Sequence, residues 1–364
     1  MSREWGYEFF KIDGLSHNNS SYSALFYERP QVRAAFRRPC ENPLERCVKA
    51  CRQGMGPDRY FLACRGFHNG PEAALADATR IGGDVVQPHK PVTWEGYLSQ
   101  ARMTLARLFS HNIQWHSDPD TLLVGTAAPL AAARTAATVV ALPGQLMFAG
   151  DKLMELPEER MRLLQRCLPV CPVRPLDLFP IMRLKPVWTL KIRRDFGAWD
   201  VVSLFNFRDD EPCEAAVGME ELGLDPAKRY WVWDFWADKL LGAKRGELRL
   251  KLKPMANALL AVHEDLGRPQ FLSTDRHLTQ GGVSLTALEW DAAKLELRGE
   301  TQLVAGEATT LALLCPPPYR PLEASSEGAA AGAALERAKN VLRLRLKPRA
   351  TGDARWTVRF ALMP

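Results

Sequence analysis

Two aspartates stand where they could act as a pair. Asp13 ends the run Tyr7-Glu8-Phe9-Phe10-Lys11-Ile12-Asp13-Gly14, and Asp84 closes Arg80-Ile81-Gly82-Gly83-Asp84. Each lies where a short apolar run breaks into a glycine-containing loop. Two carboxyl groups held at strand ends are what glycoside hydrolysis uses: one attacks the sugar or activates water, the other protonates the leaving oxygen. A cation accompanies each acid. Lys11 precedes Asp13 by two residues, so both side chains fall on one side of a strand. Arg80 precedes Asp84 by one helical turn. Such cations hold a carboxylate ionised, whereas a general acid needs a drier or more anionic setting. Each unit also has a plain structural reading, a strand-end ion pair. Gly82-Gly83 favours the functional one, because glycine lets backbone approach a ligand.

A third unit is Trp115-His116-Ser117-Asp118-Pro119-Asp120. Its acids can knot a loop by accepting backbone hydrogen bonds, or hold a metal ion. His68, His89 and His116 fall near strand ends. Asp234-Phe235-Trp236 and Ser273-Thr274-Asp275-Arg276-His277 read as turn or interface residues. The eight cysteines lack the tight Cys-x-x-Cys or Cys/His pairs of a zinc site. Cys47/Cys51 and Cys167/Cys171 are spaced to share a helix face, and read as small buried apolar residues. No metal and no cofactor is assigned.

These residues need elements to position them. Tyr7–Ile12, Tyr60–Cys64, Thr79–Ile81, Ile113–Trp115 and Gln145–Phe148 read as short strands. Ser16 to Ser23 reads as a loop. Asn42, Pro43 and Glu45 form a capping signature for a helix that Gly54 ends. Trp94, Tyr97, Leu98, Ala101, Leu105 and Leu108 keep helical spacing over about 94–109. Ala131–Leu142 is a small-residue helix suited to close packing, and a last helix starts at Pro157-Glu158-Glu159 and stops before Pro169. This β/α alternation implies a parallel sheet with helices outside, and sites in such barrels sit at the C-terminal strand ends. From about 175 onward, period-two strands with turn signals between them predict an antiparallel β-sandwich. Ser325–Gly332 reads as a loop. The expected division is 1–174 and 175–364.

The chain has 364 residues, 46% of them hydrophobic, with a formal net charge of +6. That is ordinary for a globular protein with a sizeable core. Basic residues are scattered among acids, and no nucleic-acid fold motif accompanies them, so no nucleic-acid partner is expected. No apolar run reaches the ~18 residues of a membrane helix. No charged-then-apolar leader opens the chain; as the chain reads as starting mid-domain, its compartment is left open.

Taken together, the motifs resemble a family. Lys11-Ile12-Asp13 is similar to the strand-four Lys-x-Asp of the melibiase-type α-galactosidase superfamily, glycoside hydrolase families 27 and 36. Arg80-Ile81-Gly82-Gly83-Asp84 resembles its strand-six Arg-x-x-x-Asp. Trp115 through Leu122 resembles its Trp-Asn-Asp-Pro-Asp-Met-Leu segment, with one extra residue and Thr121 for Met. Arg134-Thr135 and Gly144-Gln145-Leu146 also fit, so the likeness runs over about 1–170. The resemblance implies a partial (β/α)8 TIM barrel, strands four to eight, followed by a C-terminal β-sandwich. It implies a retaining α-glycosidase with Asp13 as nucleophile and Asp84 as general acid/base. Lys11 and Arg80 would bond sugar hydroxyls, with Cys64, Trp115 and Asp118 also lining the substrate site. The partner would be an α-linked oligosaccharide or glycoconjugate, and a homo-oligomer is left open. Two departures stand out. Cys64-Arg65-Gly66-Phe67-His68-Asn69 matches neither the galactose nor the N-acetylgalactosamine readers. The chain also opens at the equivalent of strand four, as a fragment or a truncated gene product would. A transglycosylase of the raffinose-synthase kind, and an inactive or merely sugar-binding fragment, are the alternatives.

Overall fold

A computed structural model describes residues 2–13, 30–35, 43–64, 71–87, 90–172 and 184–363. The expected loop at Ser16 to Ser23, the Asn42 cap, His68 and His89 lie outside the described residues. The chain forms two compact units. The first comprises Met1–Leu122, Gln145–Phe148 and Leu178–Leu184, and the second Leu123–Gly144, Ala149–Asp177 and Lys185–Pro364.

The first unit is built on four parallel strands in sequential order: β1 (Phe9–Ile12), β2 (Tyr60–Ala63), β3 (Ala78–Arg80) and β4 (His116–Asp118). The register aligns Ile12 with Ala63, Ala63 with Thr79, and Thr79 with Ser117. Alternation then sorts the side chains onto two faces. Phe61 and Ala63 pack with Val48 and Met55 of the helix Pro43–Met55, beside half-buried Phe10, Ile12 and Cys51. Positions 48, 51 and 55 recur at helical spacing, so one stripe of that helix meets the sheet. Arg52 fastens it: its guanidinium donates to the Leu75 and Arg59 carbonyls at 2.8 and 2.6 Å and to Asp77 at 2.8 Å. On the other face Leu62, Cys64 and Ala78 pack with Tyr60, Leu146 and Phe148.

The helix runs one residue past Gly54. Met55 ends it, and Gly56, at φ +99°, takes the left-handed position that glycine accommodates without strain. The fourth strand also differs from expectation. Ile113–Trp115 belongs to a turn in which Asn112 has φ +58° and Ile113 is 64% exposed, and the strand begins at His116. His111 explains the shift, since its Nδ1 accepts from the Ser117 N–H at 3.0 Å and holds the turn against the strand start. The short strand expected over Gln145–Phe148 is reduced to Phe148–Ala149, though the Leu146 N–H still donates to the Ser117 carbonyl.

The helix Trp94–Arg107 starts at Thr93, whose hydroxyl accepts from the Gly96 N–H. It buries Tyr97, Gln100, Ala101, Thr104 and Leu105, a single apolar stripe with two polar members. Gln100 donates to the Pro119 and Thr121 carbonyls at 2.9 and 3.2 Å, which ties down the loop after β4.

The second unit contains a C-terminal antiparallel β-sandwich. One five-stranded sheet runs Lys239–Lys244, Tyr230–Asp234, Asn257–Glu264, Gly197–Phe205, Val187–Arg194. Val202, Leu204, Val232 and Leu260 from that sheet pack with Val217, Leu248 and Leu252 of the ladder formed by Cys213–Gly218 and Glu247–Leu252. Two further four-stranded antiparallel sheets follow. Ser325–Gly332, expected as a loop, is instead strand: Tyr319–Gly328 turns at Gly328 into Ala330–Ala338. Gly328 has φ +78°, and a Cβ there would stand 2.6 Å from the Asp353 carbonyl oxygen. The small residues carry the chain through a tight corner from one sheet into the other, a role composition does not distinguish from a loop.

The Ala-rich helix Leu130–Ala141 joins this unit. Thr135 donates to the Met255 carbonyl at 2.7 Å, and Thr138 accepts from Trp236 and Asn257 at 3.1 and 3.0 Å. The helix Glu158–Gln165 ends before Cys167, so Cys167 and Cys171 are buried beyond it rather than on one helical face. No described helix is long and apolar enough to cross a membrane.

Candidate functional site

The register places four side chains of the sequence motifs in one row. The position after Ile12, Ala63, Thr79 and Ser117 is occupied by Asp13, Cys64, Arg80 and Asp118. Each lies at the C-terminal end of a parallel strand, and each belongs to the face opposite the Val48 helix. Two residues back on the same face stand Lys11, Leu62, Ala78 and His116. Four short strands thus converge a carboxylate, a thiol, a guanidinium and a second carboxylate on one edge.

Arg80 is the hub. Its side chain is buried, and its Nε donates to Asp118 Oδ2 at 3.1 Å and one terminal nitrogen to Asp84 Oδ1 at 3.2 Å, while the other terminal nitrogen is ion-paired with Asp120 Oδ1 at 2.8 Å. Burial works against the charged guanidinium, but Asp118 and Asp120 outweigh it and raise its pKa above the usual value. The two buried acids are held in turn. Asp118 Oδ1 accepts from the Asp120 N–H at 2.8 Å, and Asp120 Oδ2 from the Val85 N–H at 2.8 Å. The loop reading of these acids therefore holds alongside the ion pairing. Asp120 sits at φ +76°, a left-handed conformation that Asp tolerates because its short side chain bonds locally. By contrast the Asp84 side chain is 64% exposed, so Arg80 presents it to solvent from a buried base.

Asp13 closes the other end of the row. The Cys64 thiol is hydrogen-bonded to its carboxylate, and burial first, opposed by Arg80 and Lys11, raises the thiol pKa. Lys11 and Arg80 both act electrostatically on this thiol, so the cations of the two motifs meet around one residue. The Lys11 ammonium lies 5.8 Å from the centroid of the Phe148 ring. Below the row, Phe9 stacks on Tyr60 at 5.4 Å, and the Tyr60 hydroxyl meets His116 Nδ1 at 2.7 Å. Burial, then Asp77 and Asp118, raises the Tyr60 pKa.

Trp115 is buried just before β4, at the end of the strand opposite Asp118. Gly82 and Gly83 have ordinary φ, and a Cβ at Gly82 would stand 2.7 Å from Met103 Cγ. Gly82 thus admits the helix Trp94–Arg107. Three participants carried too little signal to be chosen from sequence. Asp120 reads as a loop-knotting acid or a metal ligand and His116 as a histidine near a strand end, and the parallel register brings Tyr60 and His116 onto the face. Among the described residues no cluster of three or more His, Cys, Asp or Glu side chains could hold a metal ion.

No protein-family profile matches the chain, and no curated protein matches it in sequence. Solved structures do match in fold. A GH27 β-L-arabinopyranosidase from Geobacillus stearothermophilus aligns with 73% of this chain and 60% of its own, at 17% identity and a TM-score of 0.50. The α-galactosidase I of Mortierella vinacea aligns with 72% of this chain and 69% of its own, at 15% identity and a TM-score of 0.51. The chain spans about 60% of the arabinopyranosidase's length. At these identities the likeness is one of fold, and in fold the chain resembles the melibiase-type glycoside hydrolases of family 27.

Proposed function

We propose that this chain is a retaining α-glycoside hydrolase of the α-galactosidase type, with β1 to β4 as an arc of a (β/α)8 barrel. Asp13 attacks the anomeric carbon while Asp84 protonates the departing glycosidic oxygen. Asp84 then takes a proton from water, whose oxygen displaces the Asp13 carboxylate from the glycosyl ester. One observation carries the reading: Asp13 and Arg80 share the row at the C-terminal strand ends, with Asp84 bonded to that same arginine. Lys11 and the Cys64 thiol stand beside Asp13, where they stabilise its carboxylate and can meet sugar hydroxyls. Arg80 is engaged by three acids, two of them through N–H donors, so its main role here is to position Asp84, with the remaining donors left for substrate. Asp118 anchors Arg80 from below, and Trp115 packs the strand start.

The test is turnover of aryl α-galactosides and aryl β-L-arabinopyranosides, with the product anomer followed by NMR. Net retention that disappears in Asp13→Asn is expected. An inverted product, full activity in Asp13→Asn, or no turnover of either glycoside would overturn the reading. Excess acceptor sugar in the same assay separates hydrolysis from transglycosylation by the products formed.

A further inference from the structure

The second unit has a groove of about 790 Å³, remote in sequence from the aspartate pair. One wall is the turn between Val187–Arg194 and Gly197–Phe205, bearing Asp195 and Phe196. The floor is the sheet of Leu285–Asp291, Glu296–Leu303, Gly352–Leu362 and Tyr319–Gly328. Cross-strand register puts Ala287, Glu300, Arg355 and Glu327 in one row, and Glu289, Arg298 and Thr357 in the next row facing the same way.

Charge decides what such a groove can take. Arg193, Arg194, Arg298 and Arg355 line it, and so do Asp195, Glu289, Glu300 and Glu327. The four positive and four negative groups cancel. A polyanion would meet as many carboxylates as guanidinium groups, and a polycation the reverse. Most of the cations are already fixed by acids: Arg355 by Glu300 at 3.1 Å and Glu327 at 3.6 Å, Arg298 by Asp291 at 3.3 Å, and Arg193 by Asp200 at 3.0 Å. These pairs present both donors and acceptors. Arg194 bonds to the Gly282 carbonyl, and Asp195 and Glu289 form no ion pair among the described residues. Phe196 adds apolar surface of modest extent, too little for a protein-binding patch.

We propose that this groove binds a neutral oligosaccharide. A pyranose has hydroxyls that donate and accept at once, which suits paired Arg and Glu side chains, and an apolar C–H face that suits Phe196. None of its lining residues belongs to the proposed catalytic row, and the proposal does not rest on the hydrolase reading, because it is tested by binding without turnover.

Affinity electrophoresis of the full chain carrying Asp13→Asn, in gels containing soluble galactomannan, xyloglucan or mixed-linkage β-glucan, is the test. At least one of these neutral glycans retards migration. Phe196→Ala and Ala287→Arg, both at non-core positions, weaken that retardation by about tenfold or more, the equivalent of about 1.4 kcal/mol. Thermal melts confirm that both variants remain folded. Failure of all three glycans, retardation unchanged in both variants, or retardation by heparin alone would each overturn the proposal.

Discussion

Arg80 shows how one residue sets the terms for its neighbours. Asp118 is fully buried and its partner guanidinium nearly so. Breaking a buried pair strands the remaining charge, which costs roughly 3–5 kcal/mol. Arg80→Met should therefore destabilise the chain by about that amount, read from urea unfolding followed by tryptophan fluorescence. A loss below about 1 kcal/mol would mean that Asp118 finds another partner. Asp13 is the complementary case, exposed at the end of the row and expected to matter for chemistry more than for folding. Asp13→Gly should lower turnover of an aryl α-galactoside by roughly a thousandfold or more, with an unchanged melting temperature. Azide should restore part of that rate and yield the inverted glycosyl azide, because a small anion can occupy the space of the missing carboxylate. Azide without effect would count against Asp13 as the nucleophile.

At the scale of elements, the loop carrying Asp84 is locked by backbone as much as by side chains. The Val85 N–H is bonded to Asp120, and a Cβ at Gly96 would stand 2.3 Å from the Val85 carbonyl oxygen. Gly96 lies in the first turn of the helix Trp94–Arg107, so this close approach seats the helix start on the loop. Alanine there would ordinarily favour a helix by up to about 1 kcal/mol. Here Gly96→Ala should destabilise instead, by roughly 1–3 kcal/mol, since overpacking against backbone has no flexible side chain to yield. Calorimetry gives the sign directly. A rise in melting temperature would show that the helix and loop separate freely.

For the whole molecule, the second unit holds two buried histidines that make stability depend on pH. Burial pushes His263 and His277 down to about 4. His263 Nε2 meets the Leu272 carbonyl at 2.8 Å, and its ring stacks on Trp199. His277 Nδ1 accepts from the Thr279 N–H at 3.1 Å. Unfolding returns each group to an ordinary value near 6.5, so between pH 6.5 and 4 the unfolded chain binds more protons than the folded one. Stability is then full above about pH 6.5 and falls as pH drops toward 4, by up to about 3 kcal/mol per histidine. Urea titrations from pH 7.5 to 4.5 should show this slope, and His263→Gln should flatten it by about half. An unchanged slope in that variant would remove His263 from the account.

Local spacing carried much of this protein. The apolar stripe over 94–109, the alternation at Glu247–Leu252, and the placing of Asp13 and Arg80 at strand ends depend on near neighbours along the chain. Backbone geometry enforces those relations within a few residues. Other features needed the fold. The turn before β4 took Ile113–Trp115 out of the strand because His111 holds the Ser117 N–H, a contact between side chain and backbone with no periodic signature. The corner at Gly328 has the composition of a loop and becomes strand because a neighbouring strand pairs with it on each side. Asp120, Tyr60 and His116 joined the site only through register, which is set by the pairing of segments dozens of residues apart. Residue types and short spacings are encoded locally and could be read from the chain. Which acids share one arginine depends on how distant strands align, and tertiary structure alone decided that.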